Sequence, residues 1–380
     1  MPRRGSSYRA IFLGDVHMSN GLPYARMGEH GITDRLGDQR AMWEQLKAYA
    51  LEHGIDDVWV LGDLFDKALL DAVTLHVTVE ALVALANEGV RVIVLPGNHD
   101  ATNIKGERFT VEMFKAMARD NIEVVRTGEH YEVAEGLRLW AMDYAPIERN
   151  REDLARIRKD RFKDDRFNVL LMHNSVLGAK HLGWTCDDGL EPDEVVDGFD
   201  YVLSGHFHTP QKFHKRGRYL GAPMQHNFGD CDEVRGFWDI EFTAGEKLKV
   251  NPELVQVKAP SFHAFTVKGS DELEGCGDKR FADGDYVRFN VHATAADWEA
   301  LQPKARALCT ALRKHHQVRA SYKHKTIYHH EARMEEAETA SHDEMVGTYV
   351  DTTARVHSEL DPRKLKELGR RYLEEARRAG

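Results

Sequence analysis

Short apolar runs recur along the chain, and each is followed within three positions by polar side chains. Runs of apolar, often β-branched residues without alternation are typical of strands that are covered on both faces. The pattern therefore predicts five buried strands, namely AIFL (10–13), VWVL (58–61), VIVL (92–95), VLLM (169–172) and YVLS (201–204).

The segments between the first three runs have a different periodicity. In Asp38–His53 and Asp71–Asn87 the apolar residues recur at intervals of three and four, which indicates helices. Strands that alternate with helices at this spacing favour a layered, largely parallel α/β sheet. Because ligands collect beyond the carboxyl ends of the strands in such sheets, we expect the polar side chains to converge on one edge.

Each predicted strand ends in a short polar cluster, and most of the clusters contain a glycine. The clusters are Gly14-Asp15-Val16-His17, Gly62-Asp63-Leu64-Phe65-Asp66, Gly97-Asn98-His99-Asp100, His173-Asn174 and Gly205-His206-Phe207-His208. Any one of them alone is typical of an ordinary turn. Five in succession, with carboxylate, imidazole and amide groups, favour a site for manganese, iron or zinc. The glycines are expected to let the backbone turn sharply where each strand ends.

Composition and charge narrow the class of protein. A length of 380 residues predicts two or more domains, and no apolar run approaches the ~20 residues of a membrane span, so no membrane partner is expected. The four cysteines form no Cys-x-x-Cys pair and the apolar run after the basic start is too short for a signal peptide, which favours a reducing cytoplasm. The net charge of −10 argues against a generally basic surface but leaves room for a local basic groove.

Together the five clusters resemble the motifs of the calcineurin-like metallophosphoesterases, from Tyr8 to about Asn227. The resemblance implies a layered metallophosphoesterase β-sandwich flanked by helices, with two divalent metal ions that we expect to be Mn²⁺. It implies that one metal is held by Asp15, His17, Asp63 and His208, and the other by Asp63, Asn98, His173 and His206. Asp63 then bridges the pair and takes part in catalysis, and His99 faces the scissile phosphate without binding metal.

The chemistry that the resemblance implies is hydrolysis of a phosphodiester. Two cations ~3.5–4 Å apart clamp the substrate and lower the pKa of a shared water, and His99 stabilises the phosphate charge or protonates the departing oxygen. Asp66 is expected to lie behind the ligands, although some relatives place a histidine there. Asp100 either orients His99 or caps the following helix. His226 and His181 are further candidates for substrate contact.

The residues around the last cluster narrow the resemblance. Residues 189–241, with YLGAPMQHNF (219–228) and RGFW (235–238), are similar to nuclease subunits of double-strand-break repair complexes, namely bacterial SbcD and phage recombination endonuclease subunits. This branch implies a Mn²⁺-dependent DNA nuclease, both double-strand exonuclease and single-strand endonuclease, in an SbcCD-type repair or recombination complex. Its partners would be DNA, an SbcC-like ABC/SMC ATPase and a second copy of the chain. It would lie in the cytoplasm, at the nucleoid, or in a host cell if phage-encoded.

Two other functions stay open at this point. A small-substrate phosphodiesterase or phosphatase of the same superfamily would use the same motifs, because the motifs define chemistry rather than substrate. Such an enzyme needs no long extension, whereas this chain continues for about 150 residues after the last motif. A non-catalytic scaffold would be expected to lack a ligand, and all seven ligands are present.

The rest of the chain predicts a smaller α+β domain and a helical tail. Phe262–Val267, Tyr286–Val291 and Gln317–Tyr322 alternate like strands. One stripe of a helix between the last two contains Trp298, Leu301, Ala305, Leu308 and Leu312, with Trp298 expected in the core. The expected domains are residues 1–258 (nuclease), 259–330 (DNA capping), 331–360 (linker) and 361–380 (C-terminal helix, a possible ATPase-docking segment).

Three surfaces are candidates for binding partners, and each has a plainer interpretation. The basic residues Arg313, Lys314 and Arg319, with Lys304, Arg306, Lys323 and Lys325, either contact DNA phosphates or form a solvated face. The C-terminal helix either docks on the ATPase or covers its own domain. The helices Leu36–Leu51 and Leu69–Leu85 either form the dimer contact or only cover the sheet.

Overall fold

The computed structural model describes residues 6–117, 119–161, 165–181, 183–231, 233–315 and 318–327, together with residues 350, 361, 363–369 and 371. The chain divides into two compact units, Met1–Phe262 and His263–Gly380. Each unit is built around its own apolar core.

The first unit contains two multi-stranded sheets and the helices that cover them. Its strands are β1 (Ser6–Leu13), β2 (Asp57–Leu61), β3 (Arg91–Leu95), β4 (Ile122–Val124), β5 (His130–Ala134), β6 (Leu137–Met142), β7 (Phe167–His173), β8 (Lys180–His181), β9 (Trp184–Thr185), β10 (Tyr201–Gly205), β11 (Gln211–His214), β12 (Gly217–Tyr219), β13 (Gly236–Ala244) and β14 (Lys249–Gln256). Its α-helices are α1 (Asp34–His53), α2 (Ala72–Asn87), α3 (Ile147–Arg161) and α4 (Pro192–Val196), with 3₁₀ turns at Glu29–Gly31 and Thr110–Met117.

The five predicted strands are all present, as β1, β2, β3, β7 and β10. The first sheet has the order β14-β13-β1-β2-β3-β4, and the second has the order β11-β12-β10-β7-β6-β5. In the first sheet β1, β2, β3 and β4 run parallel to one another. In the second sheet β6, β7 and β10 run parallel to one another. The expectation of one common edge was wrong in this respect: the strands are divided between two sheets. Periodicity identifies a strand but does not specify which sheet it joins.

The alternation of side chains along β1 shows how the layers pack. Ile11 and Leu13 belong to a core shared with α1 and α2, whereas Ala10 and Phe12 belong to the core between the two sheets. A third core, which includes Leu170 of β7, joins the second sheet to α3 and α4. Helices, sheet, sheet and helices thus lie in successive layers, which confirms the expected α/β sandwich flanked by helices.

The second unit is a small α/β module. In chain order it contains β15 (Phe262–Val267), α5 (Ser270–Gly275), a 3₁₀ turn (Cys276–Asp278), β16 (Tyr286–Ala293), α6 (Ala295–His315) and β17 (Arg319–Thr326). The sheet order is β15-β16-β17, and α6 connects the parallel strands β16 and β17. Leu301, Ala305 and Leu312 are buried against this sheet, and the partly buried Trp298 stacks on His324 with ring centroids 4.3 Å apart. The predicted strands and helical stripe are confirmed, except that Gln317 lies outside the described residues.

The predicted tail is described only in part. Of the expected linker, residues 331–360, the structure describes Val350 alone, and of the expected C-terminal helix it describes residues 361, 363–369 and 371. Residues 363–369 are helical. Among the described residues, no helix combines the length and the apolar character that crossing a membrane requires.

Candidate metal centre

The expected metal ligands lie at the carboxyl ends of their strands or within four residues beyond them. Asp15, His17, Asp63 and His206 adopt positive φ angles of 49°, 51°, 49° and 95°. Residues other than glycine rarely adopt such angles, which persist only where the surroundings enforce them. Backbone hydrogen bonds enforce them here: Asp15 N donates to the Gly62 carbonyl at 3.2 Å and His17 N donates to the Asp63 carbonyl at 2.9 Å.

The glycines of the clusters serve close packing more than turning of the backbone. Of Gly14, Gly62, Gly97 and Gly205, only Gly62 has a positive φ, of 87°. A Cβ atom on Gly205 would lie 2.0 Å from the Leu61 carbonyl oxygen. A Cβ atom on Gly97 would lie 2.2 Å from Asp63 Oδ1. The expectation that all four glycines turn the chain was therefore wrong: most of the left-handed turns are made by the ligand residues, and the glycines permit close approach.

The first group of expected ligands gathers around His17. Ligand atoms of Asp15, His17 and His208 lie within 4.8 Å of one another. His17 Nε2 is 3.1 Å from His208 Nε2 and 3.7 Å from Asp63 Oδ2. Asp15, His17 and Asp63 are all buried. The four residues expected at one metal are thus brought together.

The second group gathers around Asn98 and shares Asp63 with the first. Asp63 Oδ2 lies 3.3 Å from His173 Nε2. Asn98 Oδ1 lies 3.0 Å from His173 Nε2 and 2.9 Å from His206 Nδ1. One oxygen of Asp63 thus approaches an imidazole in each group, so its carboxylate lies between the two groups. That Asp63 bridges two metal ions stays a prediction.

The imidazoles of the second group are oriented through their other ring nitrogens. His173 Nδ1 donates to the Leu61 carbonyl at 2.8 Å, which leaves Nε2 as the ligand atom. His206 Nε2 lies 2.9 Å from Ser175 Oγ, which leaves Nδ1 facing Asn98. Neither hydrogen-bond partner, the Leu61 carbonyl or the Ser175 hydroxyl, was predicted from the sequence. The one feature that could have indicated them is that Ser175 follows the expected ligand His173 by two positions.

The site contains hydrogen-bond acceptors that face one another, and a divalent cation between them would satisfy them. With Nδ1 protonated, His173 Nε2 is an acceptor that faces the acceptor Asn98 Oδ1, and such a pair needs a proton or a cation. Burial alone would lower the pKa of His173. The negative charge of the nearby Asp63 carboxylate is the largest opposing effect, and together the effects raise the pKa of His173 to about 9. The cluster thus attracts positive charge. Its carboxylate, amide and imidazole groups suit divalent ions, in agreement with the two ions that the resemblance implies.

His99 lies at the exposed mouth of the site. Its Nδ1 donates to the Asp66 carbonyl at 2.7 Å, so Nε2 is the ring atom left to face a substrate. Its ring lies edge-on to that of His17, with centroids 4.6 Å apart. The Asp66 carboxylate reaches the other way, and its Oδ1 is 3.5 Å from His17 Nδ1. Asp66 therefore supports both a metal ligand and His99.

Asp100 is buried and connects the loops that follow β2 and β3. Its carboxylate accepts backbone N–H groups from Gly97 at 2.9 Å, Phe65 at 3.0 Å and Leu64 at 3.4 Å. Neither of the expected roles, orienting His99 or capping a helix, describes these bonds. The carboxylate instead holds the two ligand-bearing loops at a fixed separation.

His226 lies behind the first ligand group. Its Nε2 is 3.1 Å from the Asp15 carbonyl oxygen, and its ring centroid is 5.1 Å from those of both His17 and His208. Burial lowers the pKa of His226 well below its ordinary value, so the ring is neutral and Nε2–H donates to the carbonyl. His226 thus supports the Asp15 loop and also lines the pocket. The side chain of His181 lies outside what the structure describes.

These residues surround an open cavity of about 400 Å³. Asp63, Asn98 and His206 line it together with His99, and the hairpin residue Trp184 lines one wall. Cavities of this size accommodate small ligands or a portion of a larger one. The arrangement offers two groups of metal ligands and one imidazole at the mouth of a pocket that opens to solvent.

The residues expected to contact DNA lie in the second unit. Arg313 Nε and Nη2 donate to the Ala320 carbonyl at 3.0 Å and 2.6 Å. Arg319 donates to the Tyr286 hydroxyl, and its guanidinium lies 4.7 Å from the centroid of that ring. Lys314 is exposed. These contacts hold α6 and β17 in place, and DNA binding by the three residues stays a prediction.

Residues 8–210, more than half of the chain, match the family described as calcineurin-like phosphoesterase. The chain belongs to this family. The matched residues include all seven expected metal ligands, and the expected enzyme class, a metal-dependent phosphodiesterase, is confirmed.

Three proteins illustrate which members of the family the chain resembles. The DNA double-strand break repair protein Mre11 of Methanopyrus kandleri is 26% identical over 320 residues, 78% of this chain and 67% of that protein. The SbcD subunit of the nuclease SbcCD of Bacillus subtilis is 23% identical, over 63% of this chain and 69% of its own. Exonuclease subunit 1 of Enterobacteria phage T4 is 25% identical, over 55% of this chain and 59% of its own. Each relative therefore contains sequence that this chain does not match.

Proposed function

We propose that this protein is a Mn²⁺-dependent DNA nuclease subunit that acts as a double-strand exonuclease and a single-strand endonuclease. The observation that carries the proposal is the position of Asp63 between the two ligand groups, at a pocket whose mouth presents His99. The names of the similar proteins, a double-strand break repair protein, a nuclease subunit and an exonuclease subunit, support DNA as the substrate.

The residues of the site have distinct tasks in this reaction. Two divalent ions, when bound, supply the Lewis acidity that polarises the phosphodiester and lowers the pKa of a water. Asp63 and Asn98 would hold them with the surrounding imidazoles. His99 moves the proton: because its Nδ1–H is committed to the Asp66 carbonyl, Nε2 is the atom that takes up a proton from solvent and then donates it to the departing oxygen.

The test uses the purified chain with labelled duplex DNA and labelled single strands, each with Mn²⁺, Mg²⁺ or a chelator. Bis-p-nitrophenyl phosphate serves as a generic diester in parallel. We expect cleavage of both DNA substrates with Mn²⁺ and none with chelator, and no activity from Asp63→Ala. Cleavage of the generic diester without any cleavage of DNA would instead favour a phosphodiesterase of small substrates.

We further propose that the nuclease works in an SbcCD-type complex with an ABC/SMC ATPase and as a homodimer. Two of the similar proteins are named as subunits, which supports a partner subunit. The proposal that this partner is an ATPase rests on the resemblance of the sequence alone. The segment 361–380 is proposed as the docking helix, the helices α1 and α2 as the dimer contact, residues 259–330 as the DNA-capping domain, and the cytoplasm as the location. Light scattering of the purified chain tests the dimer, and co-purification with the ATPase, with and without residues 361–380, tests the docking.

A further inference from the structure

Two adjacent residues of the loop that connects β12 to β13 line the metal pocket. They are His226 and Asn227. The imidazole of His226 already bonds to a protein atom, because its Nε2 lies 3.1 Å from the Asp15 carbonyl oxygen. Asn227 is partly exposed. Its side chain is therefore accessible to a molecule that enters the pocket.

One end of the Asn227 side-chain amide is occupied and the other is not. Gly229 N donates to the amide at 2.7 Å, and because an N–H group can only donate, the atom that it meets is the oxygen Oδ1. Nδ2 has two N–H groups, and among the described residues neither has a hydrogen-bond partner. The end of the amide that remains for a ligand is thus a donor and not an acceptor.

The backbone on both sides of this amide is fixed by a buried carboxylate. Asp230 is fully buried, and its Oδ2 accepts from His226 N at 2.8 Å and from Asn227 N at 3.2 Å. Its Oδ1 accepts from Arg235 Nη2 at 3.0 Å. Asp230 N in turn donates to the Asn227 carbonyl at 3.1 Å. Asn227 is therefore held in place before a ligand arrives, which reduces the entropy that is lost on binding.

The charges around the pocket favour an uncharged donor of this kind. Four of the lining residues are aspartates, namely Asp63, Asp66, Asp187 and Asp188, and among the described lining residues none is lysine or arginine. A cationic side chain would be drawn to these carboxylates, whereas a neutral amide keeps its N–H groups for a ligand. Phosphate oxygens are acceptors, and asparagine is among the side chains that donate to DNA phosphates. The unused end of the amide therefore matches the DNA backbone.

We propose that Asn227 Nδ2 donates to a non-bridging oxygen of the DNA phosphate next to the scissile one. This inference rests on the proposed nuclease function and adds a substrate-binding residue to it. The scissile phosphate already has partners in the proposed reaction, namely the metal ions and His99 Nε2. Asn227 follows His226, which lies behind the first ligand group, so its partner is the next phosphate along the strand.

The first experiment measures DNA binding without cleavage. It uses a short labelled duplex, the His99→Ala protein with Mn²⁺, and fluorescence anisotropy. Asn227→Asp keeps an oxygen for Gly229 N and replaces the donor with a second carboxylate oxygen, so the turn is kept and the phosphate is repelled. We expect this change to raise the Kd for DNA roughly 10- to 100-fold, as loss of a hydrogen bond to a charged group predicts, and to leave bound Mn²⁺ in place. Asn251→Asp, exposed on β14 and outside the pocket lining, is the matched control and should bind DNA as before.

The second experiment identifies the phosphate. The active protein first maps the bond that is cleaved in the duplex, and each phosphate near this bond is then replaced singly by a neutral methylphosphonate. For the His99→Ala protein, the replacement next to the cleaved bond should raise the Kd by a factor similar to that of Asn227→Ala, and the two changes together should cost no more than either alone. With Asn227→Asp the same replacement should lower the Kd instead, because it removes the repulsion. A role confined to folding would produce no such reversal.

Four results would overturn the inference. In the first, DNA is cleaved and Asn227→Asp leaves the Kd unchanged, so the proposed function stands without this contact. In the second, Asn227→Asp loses bound Mn²⁺, which makes Asn227 a structural residue. In the third, the reversal is absent or occurs at the cleaved phosphate rather than beside it. In the fourth, the unchanged protein cleaves no DNA, and the inference fails together with the proposed function.

Discussion

The two sheets of the first unit supply different ligands and hold them by different means. The first sheet supplies both carboxylates, the amide and one imidazole, and three of its ligand residues sit in left-handed turns fixed by backbone hydrogen bonds. The second sheet supplies three imidazoles, of which His173 and His206 are oriented through hydrogen bonds from their remaining ring nitrogens. Negative charge is thus concentrated on the first sheet, whereas the second sheet contributes imidazoles alone.

This difference makes the site depend on how the sheets meet. His206 N donates to Asp15 Oδ1 at 2.9 Å, and His173 Nδ1 donates to the Leu61 carbonyl at 2.8 Å, so hydrogen bonds from the second sheet reach two different strands of the first. Each ligand group draws on both sheets. Neither sheet alone can therefore form a metal site, and small changes where they touch should have large effects.

The largest effect is expected from Gly205→Ala, which pushes the sheets apart. The new Cβ would lie 2.0 Å from the Leu61 carbonyl oxygen. We expect the free energy of unfolding, measured by urea denaturation in chelator, to fall by about 3 kcal/mol, and bound Mn²⁺ to be lost. Gly37→Ala in α1, where an added Cβ meets nothing within 4 Å, is the control and should be neutral or stabilising. A Gly205→Ala variant of normal stability with its metals in place would contradict this account of the contact.

The second-largest effect is expected on the number of bound metal ions, when a ligand expected in both groups is removed rather than a ligand expected in one. Asp63→Ala removes the carboxylate common to both groups, whereas His206→Ala removes one imidazole from one group. We expect Asp63→Ala to bind no Mn²⁺ and to lose all hydrolysis of bis-p-nitrophenyl phosphate. His206→Ala should keep one ion per chain. Metal analysis after gel filtration measures both, and one retained ion in Asp63→Ala would show that Asp63 does not bridge.

A smaller effect is expected at His99, which follows a strand of the first sheet. Its ligand atom lies within 4.8 Å of those of His17 and Asp63, and we propose that it serves proton transfer rather than metal binding. His99→Ala should keep both metals and lower kcat by roughly 10²- to 10⁴-fold, the range for loss of general acid–base catalysis. Asp66→Asn is the informative comparison, because it keeps the backbone carbonyl that binds His99 and alters only the side chain near His17. It should weaken metal binding more than it alters the proton transfer. Unchanged cleavage in His99→Ala would remove that residue from the mechanism.

The ligands could be predicted from sequence because each lies within four residues of the end of an apolar strand. A local pattern is enough to locate such a residue, and its chemical type indicates what it binds. The pattern located the five polar clusters, and the family resemblance selected the expected ligands among them. The structure brings all seven together, namely Asp15, His17, Asp63, Asn98, His173, His206 and His208.

What could not be predicted depends on partners that are distant in sequence. The division of the strands between two sheets is decided by packing, since β1 carries apolar residues on both faces whichever sheet it joins. The role of Asp100 could not be predicted either, because its three backbone donors come from two loops. Nor could the role of His226, whose partner, the Asp15 carbonyl, is 211 residues away in the sequence. Such contacts leave no periodic signal.

The smallest effect is expected at Ser175, which tests whether the second sheet relies on side-chain hydrogen bonds. Ser175→Ala removes the acceptor for His206 Nε2–H and lets the ring rotate, so the affinity for one Mn²⁺ should fall roughly 10- to 100-fold. Titration of Mn²⁺ followed by the resonance signal of the free ion measures this loss. Ser175→Thr keeps the hydroxyl and should restore most of the affinity. If threonine fails as alanine does, the site is limited by space at this position, and the imidazoles are held by packing rather than by hydrogen bonds.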